Sequence, residues 1–320
     1  MTFEEGRPSV LPTAAVARKV SPSGFGFQIR CREPLRFVRS GGGVDTLEVV
    51  VAPGPRKPPG AARLTDWTLA GPERRVQGTL YKVERGFEFW AKGVGAYRID
   101  PEAGRIEMPE GHDDITREQR LWGIPTALCF MHRGDVPLHA AAVEVHGGAV
   151  LLAAPRRHGK TTLALAFQRH GYRVLTEDVA CCRLGPVPAV LPGPALLRVR
   201  PDMYDGHPPA GTHVAATRQG RVYLALDDDQ TGSSAPVPIV ALLFLRESST
   251  GITFERVLGS IAIRDLWALS FRLPADGARA RGFTQLTELA SALRIWNLYR
   301  PVVLSSLDAT VAGILEVCRR

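Results

Sequence analysis

The stretch that most constrains this 320-residue chain runs from Val143 to Gly171. Val143-Glu144-Val145 and Ala149-Val150-Leu151-Leu152-Ala153 are apolar runs on either side of His146-Gly147-Gly148. That pattern predicts a β-hairpin closed by a tight glycine turn. The second run feeds directly into Ala154-Pro155-Arg156-Arg157-His158-Gly159-Lys160-Thr161-Thr162. Good helix formers follow from Leu163 to His170, with Gly171 as the stop. A strand, a Gly-Lys-Thr loop and a helix in that order form a phosphate cradle. Loop and helix N–H groups point at the anion, Lys160 brings a mobile positive charge, and the Thr161 hydroxyl can reach a magnesium ion. Gly159 admits the close backbone approach. The pattern G-x-x-x-x-G-K-[ST] opens on glycine, whereas here Ala154 holds that place. Arg156, Arg157 and His158 also replace the usual small residues of the loop centre. The loop from Ala154 to Thr162 is expected to bind ATP, or another nucleoside triphosphate, together with Mg2+.

Two neighbouring features extend this reading. A hairpin centred on His146-Gly147-Gly148 sets His139 across from Ala154 or Pro155, at the mouth of the loop. A histidine there can transfer a proton or contact a phosphate. Beyond Gly171, Tyr172-Arg173-Val174-Leu175 reads as a buried strand that ends in Thr176-Glu177-Asp178. Carboxylates at such a strand end lie where ligands bind in open α/β sheets. One can accept the proton of an attacking hydroxyl and one can hold Mg2+, with the division of labour left open. The candidate catalytic residues are Asp178, Glu177, His139 and Lys160; the candidate metal ligands are Thr161, Glu177 and Asp178.

The rest of the chain frames this core. Phe25–Cys31, Thr46–Val51, Gly86–Trp90 and Gly93–Ile99 carry strand patterns, broken by Gly41-Gly42-Gly43 and by the proline-glycine stretch from Pro53 to Gly60. A boundary near Pro109–Asp114 separates a β-rich N-terminal domain, 1–115, from a domain spanning 116–320. Thr116 is expected to cap a helix running through Trp122, with Pro125 inside or ending it. Ile239–Leu245 reads as a buried strand ending in Arg246, and Phe283–Leu298 as a helix with Trp296 in the core. Arg264, Arg272 and Arg294 are unranked candidates for reaching a γ-phosphate. His112-Asp113-Asp114 and Asp227-Asp228-Asp229 read as solvated turns rather than metal sites.

The net charge of +8 favours anionic partners, although an arginine-rich composition also follows from a GC-rich genome. The five cysteines lack paired spacing, so reduced thiols are expected rather than a zinc site, and Cys181 and Cys182 should face opposite ways along one strand. The first twenty residues carry Glu4 and Glu5 without a long apolar core, and no apolar run reaches membrane-helix length. A cytoplasmic protein is expected.

At His139, the loop and Glu177-Asp178 the chain resembles the HPr kinase/phosphorylase family. That family orders a histidine, a hairpin-led P-loop and an acidic pair in the same way. His139 stands fifteen positions before Ala154, and Glu177 seventeen after Lys160, both at the family's spacing. The resemblance covers roughly 137–185, and Pro194–Asp202 looks like a further segment of related proteins. It implies His139 as the active-site histidine, Lys160 as the P-loop lysine, Thr161 as a metal-binding hydroxyl, and Glu177-Asp178 in base and metal roles. It also implies an α/β P-loop kinase core of the HPr kinase and phosphoenolpyruvate carboxykinase type, behind a β-rich N-terminal region, often in a homo-oligomer. Glutamate replaces the family's first aspartate, Ala140 replaces the glycine after the histidine, and the C-terminal signature of the bifunctional enzyme is absent. The chain is therefore more similar to divergent relatives in natural-product clusters, which include kinases acting on a serine of lasso-peptide precursors. The implied activity is ATP-dependent transfer to a Ser/Thr hydroxyl of a protein or peptide. A small-molecule kinase and a non-catalytic nucleotide-binding protein are the competing readings. Nucleic-acid binding rests on net charge alone, and no membrane partner is implied.

Overall fold

Short strands separated by glycine turns build the first layer. The computed structural model describes residues 21–55, 60, 62–68, 75–111, 113–204, 206–218, 220–227, 234–258 and 260–319. A nine-stranded sheet contains β1 (Pro22–Gly24), β2 (Phe27–Cys31), β3 (Arg39–Ser40), β4 (Asp45–Ala52), β5 (Arg63–Thr68), β6 (Val76–Lys82), β7 (Phe87–Ala91), β8 (Gly95–Asp100) and β9 (Arg105–Pro109). Its order is β3-β1-β2-β4-β9-β8-β7-β6-β5, so β5 to β9 form an antiparallel meander and β4 joins it in parallel. The readings for Met1–Val20, Arg56–Pro59, His112 and Asp228-Asp229 lie outside the described residues.

Two helices, α1 (Asp114–Leu121) and α2 (Ile124–His132), pack on this sheet through Leu121, Leu128 and Phe130. The cap of α1 is Asp113, not Thr116 as expected. The Asp113 carboxylate accepts from Thr116 N at 3.0 Å and from Thr116 Oγ1 at 2.7 Å. Pro125 neither interrupts nor ends a helix, but sits in the first turn of α2, where a missing N–H costs nothing.

The second sheet holds the candidate site. It contains β10 (Val136–Leu138), β11 (Ala140–Val145), β12 (Gly148–Ala153), β13 (Val174–Thr176), β14 (Ala180–Arg183) and β15 (Ala189–Leu191), with helix α3 (Lys160–Arg169) following β12. A small third sheet of β16 (Leu196–Val199), β17 (Thr212–Arg218) and β18 (Arg221–Leu226) covers α3. The second sheet is completed by β19 (Val237–Glu247), β20 (Thr253–Arg256) and β21 (Ile295–Arg300). Helices α4 (Ser260–Leu269) and α5 (Asp276–Ala292) lie on one face, while α3 and α6 (Leu307–Arg319) lie on the other. Along β12, Val150 and Leu152 face the α3 side, while Leu151 and Ala153 face the α4–α5 side. This period-two division makes the strand apolar throughout, because both of its faces are covered. Cys181 and Cys182 divide in the same way between two cores, as their adjacency required.

The helix expected over Phe283–Leu298 ends at Ala292, and Ile295–Leu298 belong to β21. Parallel pairing of Leu242–Glu247 with Ile295–Arg300 outweighs the local helical pattern. Trp296 is consequently half-buried, with Arg256 over its ring.

The first sheet is bolted to the second by Arg39, which is 1% exposed. Its guanidinium donates to the carbonyls of Gly193 (2.6 Å), Val174 (2.7 Å) and Leu175 (3.0 Å). It thus holds β13 just before Glu177. Arg39→Leu leaves these buried acceptors short of donors and is expected to cost about 2–4 kcal/mol in urea unfolding. A loss below about 1 kcal/mol would show that the carbonyls find other donors.

Candidate active site

The hairpin has the geometry read from its sequence. Val145 pairs with Gly148 around a two-residue turn in which His146 (φ 51) and Gly147 (φ 79) are both left-handed. That is the turn whose twist matches paired strands. Ala140 pairs with Ala153, so His139 falls opposite Ala154 at the start of the loop. Its main chain is fixed independently by an N–H donated to Leu269 O at 2.7 Å.

The loop turns at two left-handed residues, Arg157 (φ 69) and Gly159 (φ 81). Ala154 is not among the described residues with positive φ. It is buried in the core beside Leu163, so the missing first glycine leaves no strained position behind. The left-handed backbone at Gly159 favours glycine, and a Cβ there would press on the Arg300 guanidinium, which would have to shift. Arg156 and His158 close the loop on itself through a 2.9 Å contact between His158 Nδ1 and Arg156 O.

Lys160 is 6% exposed and folds back over the loop. Its Nζ donates to Ala154 O (2.7 Å), Pro155 O (3.1 Å) and His139 Nε2 (2.9 Å). A lysine only donates, so Nε2 of His139 accepts and its proton sits on Nδ1, which faces Asp178 O at 3.1 Å. Burial pushes the imidazole below its ordinary pKa, against the pull of Asp178, so His139 is neutral at physiological pH. Burial also pushes the Lys160 ammonium down to about 8, outweighing the nearby Asp178 and Glu177 carboxylates.

The end of β13 brings both acids into this cluster. Glu177 is 7% exposed and accepts from Thr161 Oγ1 at 2.7 Å. Asp178 is half-exposed, with Oδ1 3.5 Å from His139 Nδ1. Burial works against its ionisation, yet the charges of Arg198 and Lys160, joined by that of His139 once acid protonates it, prevail and hold its carboxyl down at about 2. The residues expected at the site therefore converge: His139, Lys160, Thr161, Glu177 and Asp178 form one hydrogen-bonded and ion-paired cluster. The hydroxyl and carboxylate oxygens of Thr161, Glu177 and Asp178 are the hard donors a divalent cation such as Mg2+ prefers.

Two arginines complete the cluster, and neither was singled out from the sequence. Arg198 donates to Glu177 Oε2 at 3.2 Å and to Asp178 Oδ2 at 3.0 Å, and both carboxylates raise its own pKa against burial. The only signal was its place in Pro194–Asp202. Arg300, 2% exposed, donates to His158 O at 3.0 Å from the end of β21. The arginines considered instead lie elsewhere. Arg264 and Arg294 are exposed, and Arg272 donates to the Trp267 and Ser270 carbonyls. Asp178 opens onto a recess of about 30 Å3 lined by Gln119, Trp122, Gly123, Pro194 and Arg198, room for one or two waters.

No helix among the described residues is long and apolar enough to cross a membrane. No protein-family model matches the chain, and no curated protein matches it. Among solved structures, the chain is similar to the HPr(Ser) kinase/phosphatase from Coxiella burnetii, with a TM-score of 0.32 and 10% identity over 57% of this chain and 97% of that one. This is a distant likeness of mixed α/β fold.

Proposed function

We propose that this chain is a phosphotransferase that moves the γ-phosphoryl group of ATP, or another nucleoside triphosphate, to a Ser/Thr hydroxyl of a peptide or protein. The observation that carries the proposal is the contact chain Asp178–His139–Lys160 at the loop, with Thr161–Glu177 beside it. Each part meets one requirement of phosphoryl transfer: a phosphate cradle, charge stabilisation, an oriented acceptor and a place for its proton. The loop and the first turn of α3 take the phosphates. The Lys160 ammonium leaves the loop carbonyls for the β- and γ-phosphate oxygens. Asp178 accepts the proton as the acceptor oxygen attacks the γ-phosphorus. The bond from that phosphorus to the β–γ bridging oxygen breaks, and the nucleoside diphosphate leaves. Neutral His139 holds Lys160 through Nε2 and Asp178 through Nδ1–H. Thr161, Glu177 and Asp178 would hold Mg2+, which when bound neutralises phosphate charge.

Asp178 is half-exposed, which favours an extended acceptor that presents its hydroxyl from solvent. Lasso-peptide precursors fit that description. The double contact of Arg198 to Glu177 and Asp178 favours a second, non-catalytic reading, in which the acids only hold structure. Incubation with γ-labelled ATP, Mg2+ and a degenerate Ser/Thr peptide library separates the two. The proposal expects acid-stable, alkali-labile label on a serine or threonine. Absence of label from every hydroxyl, with ATP bound to folded protein, contradicts it.

A further inference from the structure

Directly after Arg300 the chain presents three apolar side chains to solvent. Val302 is 44% exposed, Val303 54% and Leu304 55%. They are not the loose tip of a loop. Ser306 Oγ donates to Pro301 O at 3.0 Å and Val303 O at 2.9 Å, and the next residue, Leu307, begins α6 and turns into the core. The segment is also tied to the candidate loop. Arg300 donates through one nitrogen to Pro301 O at 3.3 Å and through another to His158 O at 3.0 Å, and it packs against Gly159. Its Nε has no hydrogen-bond partner among the described residues. A rigid apolar patch held outward costs solvation free energy, which is recovered when a ligand covers it.

What covers it follows from where it stands. A nucleotide held by its phosphates in the loop leaves its ribose and base outside the cradle, next to the loop. The turn that follows Arg300, which is itself clamped to His158–Gly159, is an exposed apolar surface tied to that loop. We infer that Val302, Val303 and Leu304 form the nucleoside subsite, packing against a face of the base, while Arg300 fixes this platform relative to the phosphate cradle. The inference rests on the phosphate-loop reading above. It adds a specificity: three aliphatic side chains cover a ring face without reading the hydrogen-bonding edge, so purine triphosphates are accepted with little discrimination.

The test is calorimetry on the full chain with MgATP, MgGTP and magnesium tripolyphosphate. Wild type and the combined variant Val302→Ser, Val303→Ser, Leu304→Ser are compared, with melting curves and light scattering beside them. Wild type should bind MgATP at least about tenfold tighter than tripolyphosphate, and MgGTP within about threefold of MgATP. The combined variant should lose that tenfold for ATP and keep its tripolyphosphate affinity. If it melts early, Leu304→Ser alone should still lose about threefold for ATP only. Three results overturn the inference: equal wild-type affinities for ATP and tripolyphosphate, an ATP advantage that survives substitution, or a changed oligomeric state with ATP affinity intact, which would make the patch an interface between copies. A folded wild type that binds neither ligand overturns the phosphate-loop reading itself.

Discussion

Asp178→Asn is expected to abolish phosphoryl transfer while nucleotide binding survives. Asparagine keeps the size and an oxygen acceptor of the side chain. The Asp178 main-chain carbonyl still receives the His139 Nδ1–H, and Arg198 keeps Glu177 as a partner. What disappears is the site that accepts the proton of the attacking hydroxyl. Loss of such a group costs roughly 10²- to 10⁴-fold in rate, and a fall of about 10³-fold or more in single-turnover transfer is expected. Binding should hold within a few-fold, because the negative charge removed from beside Lys160 and the phosphates offsets the weakened contact to Mg2+, which Thr161 and Glu177 still hold. Normal turnover by the variant would remove Asp178 as the base. The carboxyl, held down at about 2, is ionised throughout the accessible pH range, so its own titration should leave no acid limb above about pH 4.

The parts of this site that were legible in the sequence are those made by local geometry. A two-residue turn fixes hairpin register, and register alone sets His139 against Ala154. The strand–loop–helix order aims Lys160, and the end of β13 delivers Glu177 and Asp178. Nothing local betrays Arg198 or Arg300. They reach the site because β16 and β21 return to it from far along the chain, and a surface arginine and a site arginine look alike in one sequence. The same limit explains the misjudged end of α5. Residues 295–298 are strand because β19 offers them a partner, a fact carried by Leu242–Leu245 rather than by their own pattern. The cap of α1 erred for another reason: two acids precede Thr116, and the first is the better-placed acceptor.

The second large effect concerns Lys160. Lys160→Met removes the only lysine of the cluster, and the affinity for MgATP is expected to fall by about 100-fold or more, near 3 kcal/mol. Wild-type binding should also depend on pH. The ammonium form is the one that meets phosphate. Its folded pKa, about 8, lies below the ordinary 10.5, so in the free protein the charge is nearly complete at pH 7, half present at 8 and mostly lost at 9. ATP affinity should therefore fall about tenfold between pH 7 and pH 9. The methionine variant should show little dependence over that range. A wild-type affinity that is flat to pH 9 would mean that Lys160 stays charged or does not touch the phosphates.

The measurement that bears most directly on the central claim is a calorimetric titration of the full chain with MgATP at pH 7, wild type beside Lys160→Met. The phosphate-loop account predicts saturable binding at one site in the wild type, with most of that affinity gone in the variant. No binding by a folded wild type, or equal binding by both proteins, would contradict it.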